Sequence, residues 1–188
     1  KKMSKRLNNY PDPSRIFDDY GADTLRFYLL SSVVMQADNL SFSEKDIREV
    51  YNKVINTLYN VLYFFAIYKN EIEDIEIDHA SLPIIDRYII SRLENTKKSA
   101  EKFLDDYNTV KYAREIRSFI EDLSLWWLRR SRERFRSEDD NDKKIAMSVL
   151  RYVLKDFTLV IAPLLPFVSE SIWQELKPEN QDSVHLAD

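Results

Sequence analysis

Lys2 and Lys5 stand three residues apart near the start of the chain, with Met3 and Ser4 between them. An ammonium on a flexible stem is a compact point charge, so two at this spacing can reach one polyphosphate from a mobile loop. They suit a reaction in which negative charge accumulates on phosphoryl oxygens in the transition state. Ser4 is small enough to let the lysines close on the phosphates, and Met3 offers an apolar anchor. A second charged group lies far along the chain, in Leu123-Ser124-Leu125-Trp126-Trp127-Leu128-Arg129-Arg130-Ser131-Arg132-Glu133-Arg134-Phe135-Arg136. Five arginines in eight residues, flanked by Trp126, Trp127 and Phe135, combine bidentate phosphate donors with aromatic rings. That composition suits contact with RNA phosphates and bases. Two plainer readings stand beside these. Basic residues at a chain end are often a solvated tail, and arginines in the last turns of a helix complement its dipole.

The elements that position these groups follow from composition. The chain has 188 residues, 44% of them apolar, enough for one large domain or a domain with an appendage. It contains a single glycine, Gly21. Tight hairpin turns draw on Gly or Asn at positive φ, so an all-β or doubly wound sheet is excluded and the expected fold class is all-α, a helical bundle. There is no cysteine, which removes disulfides and thiolate metal sites. His79 and His185 lack ligand spacing, so no metal site is expected, and His79 reads as a surface residue. No apolar run approaches membrane-spanning length. The net charge of −4 argues against binding nucleic acid through bulk positive charge, and leaves the local segregation of charge to decide.

A pass along the chain places the helices. Ser14 to Tyr20 reads as a short turn of helix, and Gly21 to Leu30 as an amphipathic helix. Ser41 with Glu44, and Ser43 with Asp46, are overlapping capping patterns. They open a long helix to about Lys69, with Ile47, Tyr51, Val54, Leu58, Leu62 and Phe65 as its inner stripe. Asn70 to Ser81 is acidic and reads as a solvated loop. Leu82-Pro83 opens a second long helix, with Ile85, Ile89, Leu93, Ala100 and Phe103 or Leu104 inward, ending near Asp105 to Asn108. A third, capped by Asn108 or Thr109, runs from about Val110 to Phe135. Its inner face is Ala113, Ile116, Ile120, Leu123 and Trp127. Helical spacing puts Arg129, Arg132 and Arg136 on one face and Arg130 and Arg134 on another. Some of these arginines are expected to pair with the acidic residues around Glu138, Asp139 and Asp140. A fourth helix carries Ile145, Val149, Val153, Phe157 and Val160 or Ile161 inward. Pro163 and Pro166 then redirect the chain into a last short helix, Val168 to Leu176.

At least four stretches carry a family resemblance. Lys2-Met3-Ser4-Lys5-Arg6 resembles the KMSKS loop of class I aminoacyl-tRNA synthetases, with Arg in fifth place. Its continuation Asn9-Tyr10-Pro11-Asp12-Pro13 is similar to archaeal and eukaryotic-type isoleucyl-tRNA synthetases. Gly21-Ala22-Asp23-Thr24-Leu25-Arg26-Phe27-Tyr28-Leu29 resembles that family's G-A-D-A-L-R-x-Y-L, with Thr24 for Ala. The arginine-rich segment resembles N-W-Y-x-R-R-S-R-x-R-F-W, with Leu125, Trp127 and Arg136 replacing Asn, Tyr and the final Trp. Ala162 to Leu176 and Ser183-Val184-His185-Leu186 resemble the family's A-P-x-x-P-F-x-x-E-x-x-W/Y-x-x-L and S-V-H-L.

The resemblance implies a fragment of an isoleucyl-tRNA synthetase, with valyl, leucyl and methionyl enzymes as alternatives. Residues 1–40 would be the signature loop and connecting helix, and 41–188 an α-helical anticodon-binding domain. It implies Lys2 and Lys5 as catalytic, Lys2, Ser4 and Lys5 as ATP-binding, and Trp126, Arg129, Arg130, Arg132, Arg134 and Arg136 as tRNA-binding. The parent would activate isoleucine with ATP and magnesium in the cytoplasm and attach it to tRNA. The fragment would hold no cofactor, catalyse nothing alone, act as a monomer, and bind neither membrane nor DNA. The reading from a different class is a helical protein-interaction or structural module.

Overall fold

The computed structural model describes residues 12–176 and 182–187, and among these every regular element is helical. Asp12 starts α1 (Pro13–Tyr20): its carboxylate accepts the Ser14 N–H at 2.9 Å, and Pro13 sits where a missing N–H costs nothing. Gly21, at φ 80°, then turns the chain into α2 (Ala22–Leu30). A Cβ there would meet nothing within 4 Å, so it is the backbone conformation, not crowding, that requires glycine.

After a 3-10 turn at Val33–Gln36, Ser43 caps α3 (Glu44–Val50) by accepting the Asp46 N–H at 3.3 Å, the second of the two capping patterns. A π-helical turn, Tyr51–Ile55, joins α3 to α4 (Asn56–Tyr68). Ile47, Val54, Leu58 and Phe65 are fully buried, as the stripe predicts, while Tyr51 is half-buried. The wide turn also buries Val50 and Ile55.

α5 (Ile84–Asp105) ends with Tyr107 at φ 52° and the Asn108 N–H on the Phe103 carbonyl at 2.7 Å. Asn108 in turn caps α6 (Thr109–Glu121) by accepting from the Lys111 N–H at 3.1 Å. α6 continues through a π-helical turn, Asp122–Leu128, into α7 (Arg129–Ser131) and a 3-10 turn, Arg134–Arg136. The single α-helix expected over 110–135 is therefore three kinds of helix in succession. α8 (Asp140–Ile161), capped by Asp139, and α9 (Pro166–Leu176) complete the bundle, followed by a 3-10 turn at Val184–Leu186.

Two long-range ties correct simpler readings. Asp23, buried in α2, accepts the Val168 N–H at 2.7 Å and so caps α9 from 145 residues away. Burial pushes its carboxyl upward, opposed by the N–H groups of Val168 and Phe167. Arg26, one turn on, donates to the Pro163 carbonyl at 2.9 Å. α2 thus locks the chain reversal. The stretch expected as a solvated loop, 70–81, is irregular and largely exposed, and it is also pinned along α8. Ser148 accepts the Ile75 N–H at 2.8 Å, Lys144 meets Glu73 at 2.9 Å, and Arg151 pairs with Asp74 while lying 4.9 Å from the Phe65 ring centre. The anchoring has a physical reason: Lys144, Ser148 and Arg151 recur at helical spacing, giving the acidic chain a row of cations and a hydroxyl to lie on.

Candidate nucleic-acid interface

The π turn governs what Trp126 and Trp127 do. Leu123, Trp127 and Leu128 all face the core, and Trp127 is fully buried. A buried indole N–H needs an acceptor, and Trp127 Nε1 donates to Asp86 Oδ1 at 2.8 Å. Asp86 is itself 0% exposed. An isolated carboxylate there would cost far more than the fold could supply, so a cation must meet it. Arg134 does. Its two terminal nitrogens reach the two Asp86 oxygens at 2.9 and 2.8 Å, and its Nε and a terminal nitrogen reach Asp142 at 2.7 to 3.0 Å. Burial works against the guanidinium charge, but the hydrogen bonds it donates to Asp142 and Asp86 outweigh it and shift the group upward, so it stays charged.

The arginine pattern predicts Arg134 among the RNA contacts, yet its donors are committed inside the protein. The internal pairing of the arginine run, expected with the acidic residues around Glu138, Asp139 and Asp140, is made with nearby Asp142 and with distant Asp86. Asp139 is occupied in capping α8, accepting from Asn141 and Asp142 at 3.0 and 3.1 Å, and Asp140 pairs with Lys143 at 3.1 Å. Phe135 likewise belongs to the core, edge-on to Phe64 at 4.9 Å.

The other arginines differ. Arg129, Arg130, Arg132 and Arg136 are exposed, and among the described residues none has a carboxylate within ion-pair distance. The Tyr68 hydroxyl first, and then the Glu133 carboxylate, favour the charged form of Arg136. Trp126 is half-buried, tilted against the Tyr88 ring at 4.5 Å between centroids, with the Arg130 guanidinium 5.0 Å from its own centre. Arg87, exposed beside Tyr88 on α5, adds another cation without an ion-pair partner among the described residues. The result is a basic ridge with aromatic rings at its foot, and such a surface presents strong donors to phosphate and π-faces to bases.

Lys2, Ser4 and Lys5 lie outside the described residues. The histidines serve elsewhere: His79 lies edge-on to Tyr152 at 6.0 Å, and His185 is 3.1 Å from the Pro166 carbonyl. No cluster of potential metal ligands occurs among the described residues, and none of their helices is long and apolar enough to cross a membrane. Sequence reading misses Asp86 and Tyr88. A signal for Asp86 is present: with Ile89, Leu93, Thr96 and Ala100 it occupies one stripe of α5, and a carboxylate on an apolar stripe demands a buried partner.

Known proteins share this all-helical bundle. Residues 86–188 match the family model described as the anticodon-binding domain of tRNA ligase, and the chain belongs to that family. Residues 1–41 match the model described as tRNA synthetases class I (I, L, M and V). More particularly, the whole chain is 44% identical to isoleucine--tRNA ligase of Chlamydia trachomatis serovar L2 and 43% identical to that of Chlamydia abortus, covering 18% of each. The chain thus spans less than a fifth of the length of these curated relatives. In fold it resembles LeuRS of Agrobacterium radiobacter, solved as a ternary complex with tRNA and LeuAMS, with a TM-score of 0.68. That likeness covers 98% of this chain and 21% of the LeuRS chain at 18% identity.

Proposed function

We infer that this chain grips the anticodon arm of a tRNA as part of an isoleucine--tRNA ligase. The observation that carries the reading is the set of four exposed arginines, Arg129, Arg130, Arg132 and Arg136, without carboxylate partners among the described residues, around half-buried Trp126. Arginine at a surface is commonly neutralised by a neighbouring acid. Four that are not, in a chain of net charge −4, mark where an anionic partner belongs. Arg134 is left out of this contact set.

On this reading the relatives' activity extends to the longer protein, a cytoplasmic monomer. It activates isoleucine with ATP and magnesium and transfers it to tRNA, without need of DNA or membrane. Residues 1–40 form the edge of the catalytic part and 41–188 the tRNA-binding part. Lys2 and Lys5 act catalytically and, with Ser4, engage ATP phosphates, while the chain by itself activates nothing. One observation favours a protein partner on another face: Tyr59, Tyr63 and Ile67, four residues apart on α4, are 41%, 71% and 45% exposed.

The test is a salt-dependent anisotropy titration with an isoleucine-tRNA anticodon stem-loop beside a scrambled-loop control. Binding that weakens as salt rises, and favours the cognate loop, is the expected result. Equal binding to both loops would make the bundle a scaffold that orients tRNA without reading it. No binding would overturn the reading.

A further inference from the structure

The apolar groups beside the arginines need an account of their own. Ile84 and Leu125 are 78% and 63% exposed, and Tyr88 is 43% exposed although its ring packs on Trp126. Ile84 lies one helical turn before Tyr88 on α5, Tyr88 packs on Trp126 in the π turn, and exposed Leu125 stands next to Trp126 in the chain. Large apolar groups gathered on a surface mark a contact. A protein partner would fit the apolar groups alone. It would not by itself explain Arg129 and Arg130, which rise from the same spot with no ion-pair partner among the described residues.

The combination selects the partner's chemistry: flat apolar faces joined to closely spaced negative charges, which is an unpaired stretch of nucleic acid. We propose that Tyr88, backed by Trp126 and flanked by Ile84 and Leu125, is a stacking platform for an unpaired RNA base, with Arg129 and Arg130 on the adjoining phosphates. This rests on the RNA-binding reading above and deepens it.

The mode of contact follows from the groups available. Ile84 and Leu125 carry no side-chain hydrogen-bonding atoms, and the Trp126 ring is occupied by Tyr88 and Arg130. Apart from the Tyr88 hydroxyl, which Tyr88→Phe removes, the platform offers a base its face and nothing at its edge. Its contribution tolerates any base but requires that one be unpaired, so it distinguishes loop from duplex. Identity must be read elsewhere.

Binding of the 188-residue chain to two RNAs tests this: a stem with an open loop, and the same stem closed as a blunt duplex. Tyr88→Ala should weaken loop binding roughly tenfold, leave duplex binding unchanged, and leave the salt slope as it was. Tyr88→Phe, which keeps the ring, should bind as the parent does. An abasic site at one loop position should abolish the difference between Tyr88→Ala and the parent, whereas exchanging the base there should not. If Tyr88→Ala binds the loop normally while Arg129→Glu weakens it, the platform is wrong and the RNA reading stands. Equal weakening of loop and duplex also overturns the platform, since the contact would then be to the backbone. If the parent binds neither RNA, both readings fall together.

Discussion

Trp126 and Trp127 are neighbours in sequence and lead opposite lives. Trp127 is sealed in the core with its N–H on Asp86, and Arg134 closes the same carboxylate from the other side. Trp126 lies at the surface with Tyr88 on it and Arg130 over it. Each constellation joins α5 to the arginine-rich segment through an indole and a guanidinium. What separates them is one residue of α5, Asp86 in the first case and Tyr88 in the second. A carboxylate draws the pair inward and makes it structure, while a ring leaves the cation's charge unneutralised and available to a partner. Composition alone does not distinguish a functional arginine from a structural one; the acid that meets it does.

The comparison breaks first at Asp86. Asp86→Ala leaves Arg134 without its buried partner and the Trp127 N–H unsatisfied, and should cost about 3–5 kcal/mol in urea unfolding. Asp86→Asn, which keeps an acceptor for Trp127 but not the charge, should fall between that variant and the parent. A loss under about 1 kcal/mol for Asp86→Ala would mean the knot is not what holds this corner.

The tryptophans give the next contrast. Trp127→Phe should destabilise by about 1–3 kcal/mol, through lost volume and the loss of one of the two hydrogen bonds to Asp86 Oδ1. Trp126→Phe should change stability by less than about 1 kcal/mol. Equal losses would erase the distinction drawn between them.

The arginines sharpen it in the other direction. Arg129→Glu and Arg132→Glu should leave unfolding within about 0.5 kcal/mol of the parent. Each should lower RNA affinity and reduce the magnitude of the salt slope by about 1 for every phosphate no longer neutralised. If stability collapses while binding is unchanged, these arginines are structural after all.

Smallest is an effect of acid on an open carboxylate, set against the enclosed Asp86. Glu170 accepts from Gln174 at 2.7 Å, Ser183 at 2.8 Å and the Val184 N–H at 3.1 Å. These bonds, Gln174 first, hold it below its ordinary value of 4.5. A depressed carboxyl stabilises the folded form above the unfolded pKa and loses that stabilisation as pH falls through the folded one. The turn at Val184–Leu186 should therefore loosen only below about pH 4.5, seen as His185 and Val184 NMR shifts that Glu170→Gln renders flat over that range.

Much of this is legible in the sequence. One glycine and the apolar stripes are enough for an all-helical bundle, and Ser43 and Asn108 cap the helices they are expected to cap. The failures share a cause. Asp86 lies 48 residues from Arg134, and Asp23 lies 145 from Val168. Local periodicity shows that a polar group sits on a buried face but not which distant residue answers it. The acidic stretch 70–81 is the loop it is expected to be, but its anchoring is hidden for the same reason, since its cations are on α8. Of the arginine run, spacing alone does not show that Arg134 turns inward while Arg129, Arg130, Arg132 and Arg136 do not.

The π turn at Asp122–Leu128 carries one more consequence. Such a turn accommodates one residue beyond what an α-helix would hold, and each α-helical residue advances the chain by about 100° around the axis. Deleting a single residue, Ser124 or Leu125, would let the segment relax to plain α-helix. Because the turn takes up that residue locally, the helix beyond it would keep roughly the facing it has now. Arg134 would still reach Asp86, and what the deletion would disturb is the setting of Trp126 and Trp127 within the turn itself. The turn is where the ridge absorbs a change in chain length.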